Sequence, residues 1–173
     1  MYVEIAKGAP SNRGTLVPKN ELHKYLEPEV PLYRSLYLYD DTAINEIEGK
    51  GSVSNYYGTR FIDKVLIDID KGQDTNDQTL RNAQNYLMAL ENEGLNLKNI
   101  VRKTMASLLP GIDEMVYIRS AIYRLPHTIN LKTNLYKIPL TVKELMNKSA
   151  DDIMKLAKTP RIEFQYTELF GDG

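Results

Sequence analysis

Cysteine is absent from this 173-residue chain, which removes disulfide scaffolds, thiolate zinc sites and thiol nucleophiles from consideration. Tryptophan is absent as well, and the two histidines, His23 and His127, form no multi-histidine metal motif. Neither sign of charge is in excess. Lys and Arg number 22 against 23 Asp and Glu, a net charge of −1, so bulk electrostatics select no partner and any nucleic-acid binding needs a local basic patch. No run approaches the roughly 20 apolar residues that span a bilayer, and the first eight residues hold no apolar core of signal-peptide length. These absences lead to the expectation of a protein with no membrane association, located in the cytoplasm of a bacterium or, for a viral protein, of a host cell.

What is present is an ordinary globular composition, 42% hydrophobic and 26% charged. At roughly 150 residues per domain, the chain is expected to form one domain over 1–173. Gly8, Pro10, Gly14, Pro18, Pro28 and Pro31 punctuate a loop-rich N-terminal part, 1–34, with at most a short helix at Glu21–Tyr25. Period-2 alternation predicts a strand over Ser35–Tyr39, with Leu36 and Leu38 opposed to Tyr37 and Tyr39. A helical turn is expected at Thr42–Ile47. The strongest strand signal is Phe61–Asp70, rich in β-branched residues and closed by Lys71-Gly72. Thr75-Asn-Asp-Gln78 fits a capping box, followed by Leu80, Ala83, Leu87 and Leu90 at helical spacing and Gly94 at the expected stop. A second helix is expected at Asn99–Leu108, then short strands at Met115–Tyr117, Ala121–Leu125 and Leu135–Leu140. In the helical and strand part 141–173, Thr141-Val-Lys-Glu144 and Ser149-Ala-Asp-Asp152 are two further N-cap signatures, and Arg161–Tyr166 reads as a last strand. Strands and helices in this order predict an α+β fold without the βαβ rhythm or Gly-rich turn of a dinucleotide-binding domain.

The sharpest chemical feature is Ile67-Asp68-Ile69-Asp70. Side chains at i and i+2 of a strand share a face, so Asp68 and Asp70 stand side by side. Adjacent carboxylates repel, and Mg²⁺ or Mn²⁺ with oxygen ligands is their natural neutraliser. The alternative is that both acids leave the sheet into solvent beside Lys71. Downstream, Asp113 is followed by Arg119, Arg124, His127, Asn130, Lys132 and Lys137. That order offers one more metal ligand and then a phosphate-binding rim, with Arg suited to bidentate contacts and Lys to point-charge contacts. The alternative here is a solvated hairpin face whose Arg and Lys stems cover apolar neighbours.

Together, Val65-Leu-Ile-Asp68-Ile-Asp70, Asp113-Glu-Met-Val-Tyr117 and Tyr123-Arg124-Leu-Pro-His127-Thr-Ile-Asn130, with Lys132 and Leu135-Tyr-Lys137-Ile-Pro139, resemble the catalytic core of archaeo-eukaryotic-type primases and primase-polymerases, most similar to plasmid- and virus-borne members. The resemblance covers roughly residues 55–140. It implies an RNA-recognition-like mixed or antiparallel sheet flanked by helices. It implies that Asp68, Asp70 and Asp113 hold two Mg²⁺ or Mn²⁺ ions, which align a nucleoside triphosphate and a 3′-hydroxyl on a single-stranded DNA template for attack at the α-phosphorus. Arg124 is implied to pair with the triphosphate, with His127, Lys132 and Lys137 as further candidates, and a replicative helicase is a candidate partner. The family's Ser-x-His segment is not found: residues 71–112 contain no His, and their only Ser is Ser107.

Two other functions fit parts of the sequence. A primase-like replication accessory that binds nucleic acid without catalysis accommodates the missing Ser-x-His and the near-neutral charge. A Mn²⁺-dependent sugar-nucleotide transferase accounts for Asp68 and Asp70 but gives no role to the Asp113–Lys137 array.

Overall fold

The computed structural model describes residues 1–50, 53–63, 73–92 and 121–161, with the backbone alone over 90–92. The chain divides into two compact units, one formed by Met1–Asp63, Arg119–Pro139 and Ala157–Gly173 and the other by Lys64–Ile118 and Leu140–Leu156.

In the first unit, β1 (Tyr2–Lys7), β2 (Thr15–Pro18) and β3 (Leu32–Ser35) join β6 (Ile122–Arg124) in an antiparallel sheet of order β2-β1-β3-β6. A 3₁₀ segment over Lys19–Tyr25 links β2 to β3. A two-stranded ribbon pairs β4 (Tyr37–Leu38) with β5 (Phe61–Ile62), and a small hairpin pairs β7 (Ile129–Asn130) with β8 (Leu135–Tyr136). Helix α1 spans Asp41–Lys50.

The main sheet is covered on both faces. Val3 and Ile5 of β1 pack on one side with Val17, Leu32 and Leu125, closed by Leu22 of the 3₁₀ segment and Leu38. Tyr2 and Leu16 point the other way, onto Ala43 and Ile47 of α1 with Val53, Tyr39 and Tyr56. Burial on both sides explains why β1 shows no alternation of polarity: Val3, Glu4, Ile5 and Ala6 are all buried.

This sheet corrects the expectation of a loop-rich 1–34. Three of its four strands lie within residues 1–35. Gly8 (φ 83°) and Gly14 (φ 105°) occupy left-handed turn positions at the two ends of the β1–β2 connection, and the strands between such signals run only 4–6 residues. The strand expected over Ser35–Tyr39 is likewise divided. Ser35 Oγ accepts the Glu4 N–H at 3.0 Å and donates to the Tyr37 carbonyl at 2.7 Å, so a side chain takes over from the ladder and β3 stops there. Leu36 and Leu38 are buried as expected, but Tyr39 is also fully buried, edge-on to Tyr56 with ring centroids 5.9 Å apart.

Other expectations meet the structure directly. The turn at Thr42–Ile47 extends into α1, whose first turn is capped by Asp40 Oδ1 accepting from the Ala43 N–H at 2.9 Å. β6 lies inside the predicted Ala121–Leu125 strand, whereas Leu135–Leu140 yields only the two residues of β8. In the second unit, α2 (Asn76–Asn92), α3 (Val142–Asn147) and α4 (Ala150–Leu156) each begin at a predicted cap. Thr141 and Glu144 form a complete capping box, and Ser149 Oγ accepts the Asp152 N–H at 3.2 Å. Thr75 Oγ1 accepts from the Gln78 N–H at 3.2 Å, while the Gln78 side chain turns along the helix to Asn82 instead of reaching back. Leu80, Ala83 and Leu87 are half-buried on α2, and Gln84 donates to the Leu145 carbonyl at 2.8 Å.

The described architecture is thus mixed α+β, with small antiparallel sheets and helices. The first three strands of the main sheet follow one another with no α-helix between them. The predicted Phe61–Asp70 strand is present at Phe61–Ile62, has ended at Asp63, and lies outside the described residues from 64 onward. So do Gly94, the Asn99–Leu108 helix, the Met115–Tyr117 strand and all but Arg161 of the last strand.

Candidate functional site

Register brings basic and aromatic side chains together where β3 meets β6. Arg34 stands directly across from Tyr123, and Tyr33 from Arg124. Alternation then puts the Arg34 and Tyr123 side chains on one face and those of Tyr33 and Arg124 on the other. Arg34 is 0% exposed. Its Nε donates to the Ser35 carbonyl and its Nη2 to Asp63 Oδ1, both at 3.1 Å, and its guanidinium lies 5.6 Å from the Tyr123 ring centroid. Lys19 Nζ reaches Asp63 Oδ2 at 3.1 Å, so one carboxylate lies between two cations. Burial alone would raise the Asp63 pKa, but Arg34 and Lys19 together hold the carboxyl below the usual range.

Of the residues the sequence nominates, Arg124, His127 and Lys137 are drawn together. Lys137 Nζ donates to the Arg124 carbonyl at 2.8 Å and stands 5.3 Å from the Tyr123 ring centroid. The His127 N–H donates to the Lys137 carbonyl at 2.7 Å, and the Lys137 N–H to the Thr128 carbonyl at 3.0 Å. His127 itself is buried in the left-handed region, φ 66°, directly after Pro126. That conformation is uncommon outside glycine. Burial lowers the Arg124 pKa. Because alternation separates neighbours, the Arg124 guanidinium and the Lys137 ammonium flank β6 from opposite sides. Lys132 is not part of this gathering: it is exposed at the tip of the β7–β8 hairpin, its N–H held by Asn130 Oδ1 at 3.0 Å.

Asp68, Asp70 and Asp113 lie outside the described residues. Among the described residues, no group of three or more His, Asp or Glu side chains is gathered to hold a metal ion. No described helix is long and apolar enough to cross a membrane.

Arg34, Asp63, Lys19 and Tyr123 were not anticipated as a cluster. Arg34 and Asp63 are 29 residues apart, a separation that no local pattern reports. One signal was available: Arg34 falls between Leu32 and Leu36 at the spacing of a buried strand face. A second buried charge, Glu4, is 2% exposed and fully used, accepting from Arg13 Nε and the Gly14 N–H at 3.1 Å each and from Arg13 Nη2. This clamp ties the β1–β2 connection to the sheet. Burial, with the Glu4 charge, pushes the nearby Tyr39 pKa up to about 12.

Comparison with protein-family models, curated proteins and solved structures finds no match to this chain.

Proposed function

We propose that this chain is a primase-polymerase-type nucleotidyltransferase that joins a nucleoside triphosphate to a 3′-hydroxyl on a single-stranded DNA template. The ordered motifs at Asp68–Asp70, Asp113 and Tyr123–Lys137 motivate this reading. The observation that supports it among the described residues is the bond from Lys137 Nζ to the Arg124 carbonyl at 2.8 Å. Two residues nominated for one triphosphate are thus tied to the same strand end, Lys137 through the Arg124 backbone. Asp68, Asp70 and Asp113 would hold Mg²⁺ or Mn²⁺, which neutralises phosphate charge and activates the 3′-hydroxyl. Arg124 would bind and orient the triphosphate so that the 3′-oxygen bonds to the α-phosphorus as pyrophosphate leaves, with Lys137 a further candidate that braces the Arg124 backbone. A preformed, partly desolvated cation does this with little reorganisation. A replicative helicase is the partner class such a domain would serve.

Asp68→Ala and Asp113→Ala should each abolish template-dependent incorporation of labelled nucleotide with Mg²⁺ or Mn²⁺ present. Incorporation that persists in both variants would show that these acids are not the metal ligands. A second reading, a template-binding replication accessory without catalysis, is favoured by the missing Ser-x-His segment and the net charge of −1. It predicts no incorporation by the wild type and no metal-dependent triphosphate binding.

A further inference from the structure

Buried hydrogen-bonding groups are nearly always partnered, so the atoms left over show which chemistry a site lacks. On the β3–β6 pair, Arg34 Nη1, Tyr123 Oη and Arg124 Nε are buried without a hydrogen-bond partner among the described residues. The first two belong to cross-strand neighbours on one face. Burial, partly opposed by Arg34 and reinforced by Asp63, pushes the Tyr123 pKa up to about 12, so at neutral pH its hydroxyl remains a donor. Of the acceptors at hand, Ser35 O and Asp63 Oδ1 take the other two Arg34 donors. Asp63 Oδ2 is ion-paired with Lys19 Nζ at 3.1 Å but, like the two donors, has no hydrogen-bond partner among the described residues. Arg34 and Lys19 together outnumber Asp63 by one charge. The cluster therefore carries one positive charge in excess and two unpartnered donors on one face, and it opens to solvent at Lys19 and Asp63, whose side chains are 18% and 14% exposed.

We propose that Arg34 and Tyr123 form a recognition site for a phosphate oxyanion, either the polyphosphate tail of a nucleotide or inorganic polyphosphate. The guanidinium offers Nη1, the phenol its hydroxyl, and Lys19 keeps Asp63 from repelling the anion. A water molecule could satisfy the donors, but it would leave the charge unbalanced. This extends the proposed triphosphate rim to the face of β6 opposite Arg124, where Lys137 also lies over Tyr123, yet it requires neither metal nor transfer, so the two proposals fail separately.

The test is calorimetric titration of the full chain with sodium triphosphate in EDTA, without template. The wild type should bind saturably. Tyr123→Phe should weaken binding about tenfold or more, the loss of one hydrogen bond to a charged group, while its urea midpoint stays equal to or above that of the wild type, because the hydroxyl removed has no partner. Arg34→Lys keeps the charge but not the planar fork and should lose affinity similarly. Lys155→Ala, which removes an exposed cation on α4, should change nothing. ATP should show the same Tyr123→Phe loss as triphosphate. The proposal is overturned if the wild type does not bind triphosphate, or if Tyr123→Phe binds it as well as the wild type. It is also overturned if Lys155→Ala loses as much as Tyr123→Phe, or if only ATP binding responds.

Discussion

Asp63→Asn tests how the protein holds a fully buried guanidinium. The substitution keeps the shape and one acceptor oxygen but deletes the charge opposite Arg34, leaving Arg34 and Lys19 to face each other across a neutral amide. Breaking a buried pair by removing one partner costs about 3–5 kcal/mol. Arg34 is 0% exposed and Asp63 14% exposed. The retained amide oxygen preserves part of the hydrogen bond, so the lower end applies, about 3 kcal/mol, against a total stability of roughly 5–15 kcal/mol for a domain. Urea unfolding followed by far-ultraviolet circular dichroism reads this directly. A loss below about 1 kcal/mol would refute the claim that Asp63 neutralises Arg34. The pH dependence carries a sign. The Asp63 carboxyl is held below its ordinary value of 3.8, so its contribution is fully present above that value and is lost as pH falls through the folded pKa. The gap between wild type and Asp63→Asn should be constant near neutrality and close in strong acid. The double variant Arg34→Met/Asp63→Leu should recover most of the loss, because it removes the buried charge together with its partner.

Three further outcomes are expected. Gly58→Ala would place a methyl against Tyr56 Oη and 2.6 Å from Cζ, displacing a ring that is 4% exposed and lowering stability by about 1–3 kcal/mol in the same urea assay. Asn134, at φ 53° in the β7–β8 turn, should tolerate Gly with an equal or higher Tm, whereas Asn134→Ala should cost about 1 kcal/mol by calorimetric melting. Glu4→Gln turns an NH₂ group toward one of the donors from Arg13 or Gly14. It should cost about 2 kcal/mol, measured by denaturant midpoint at neutral pH.

Helix caps were the most legible part of the chain, because a cap is a local bargain between one side chain and an amide three residues on. Thr75, Thr141 and Ser149 all sit where their spacing placed them. The main sheet was the least legible. Its strands are short, buried on both faces and therefore without alternation, and Gly8 and Gly14 marked turns between strands instead of a continuous loop. Of the proposed site, the chain itself suggested Arg124, His127 and Lys137, which β6 and the turn after it gather through backbone bonds. Arg34 and Asp63 escaped notice because their pairing is made by the sheet and the β4–β5 ribbon, and neither residue carries a local motif.

The strand order has a further consequence for how the chain is made. β3 pairs on one side with β1, already synthesised, and on the other with β6, roughly ninety residues later. At roughly 5–20 residues per second, a ribosome needs roughly 5–20 seconds to deliver Ile122–Arg124 after Ser35 emerges. Throughout that interval the nascent chain carries an open strand edge, the kind of surface that recruits neighbouring chains, with Arg34 lying on it and both Tyr123 and Leu125 still to come. Asp63, the carboxylate that neutralises Arg34, is made only 29 residues after it, so the ion pair can form on this edge long before β6 arrives to cover it.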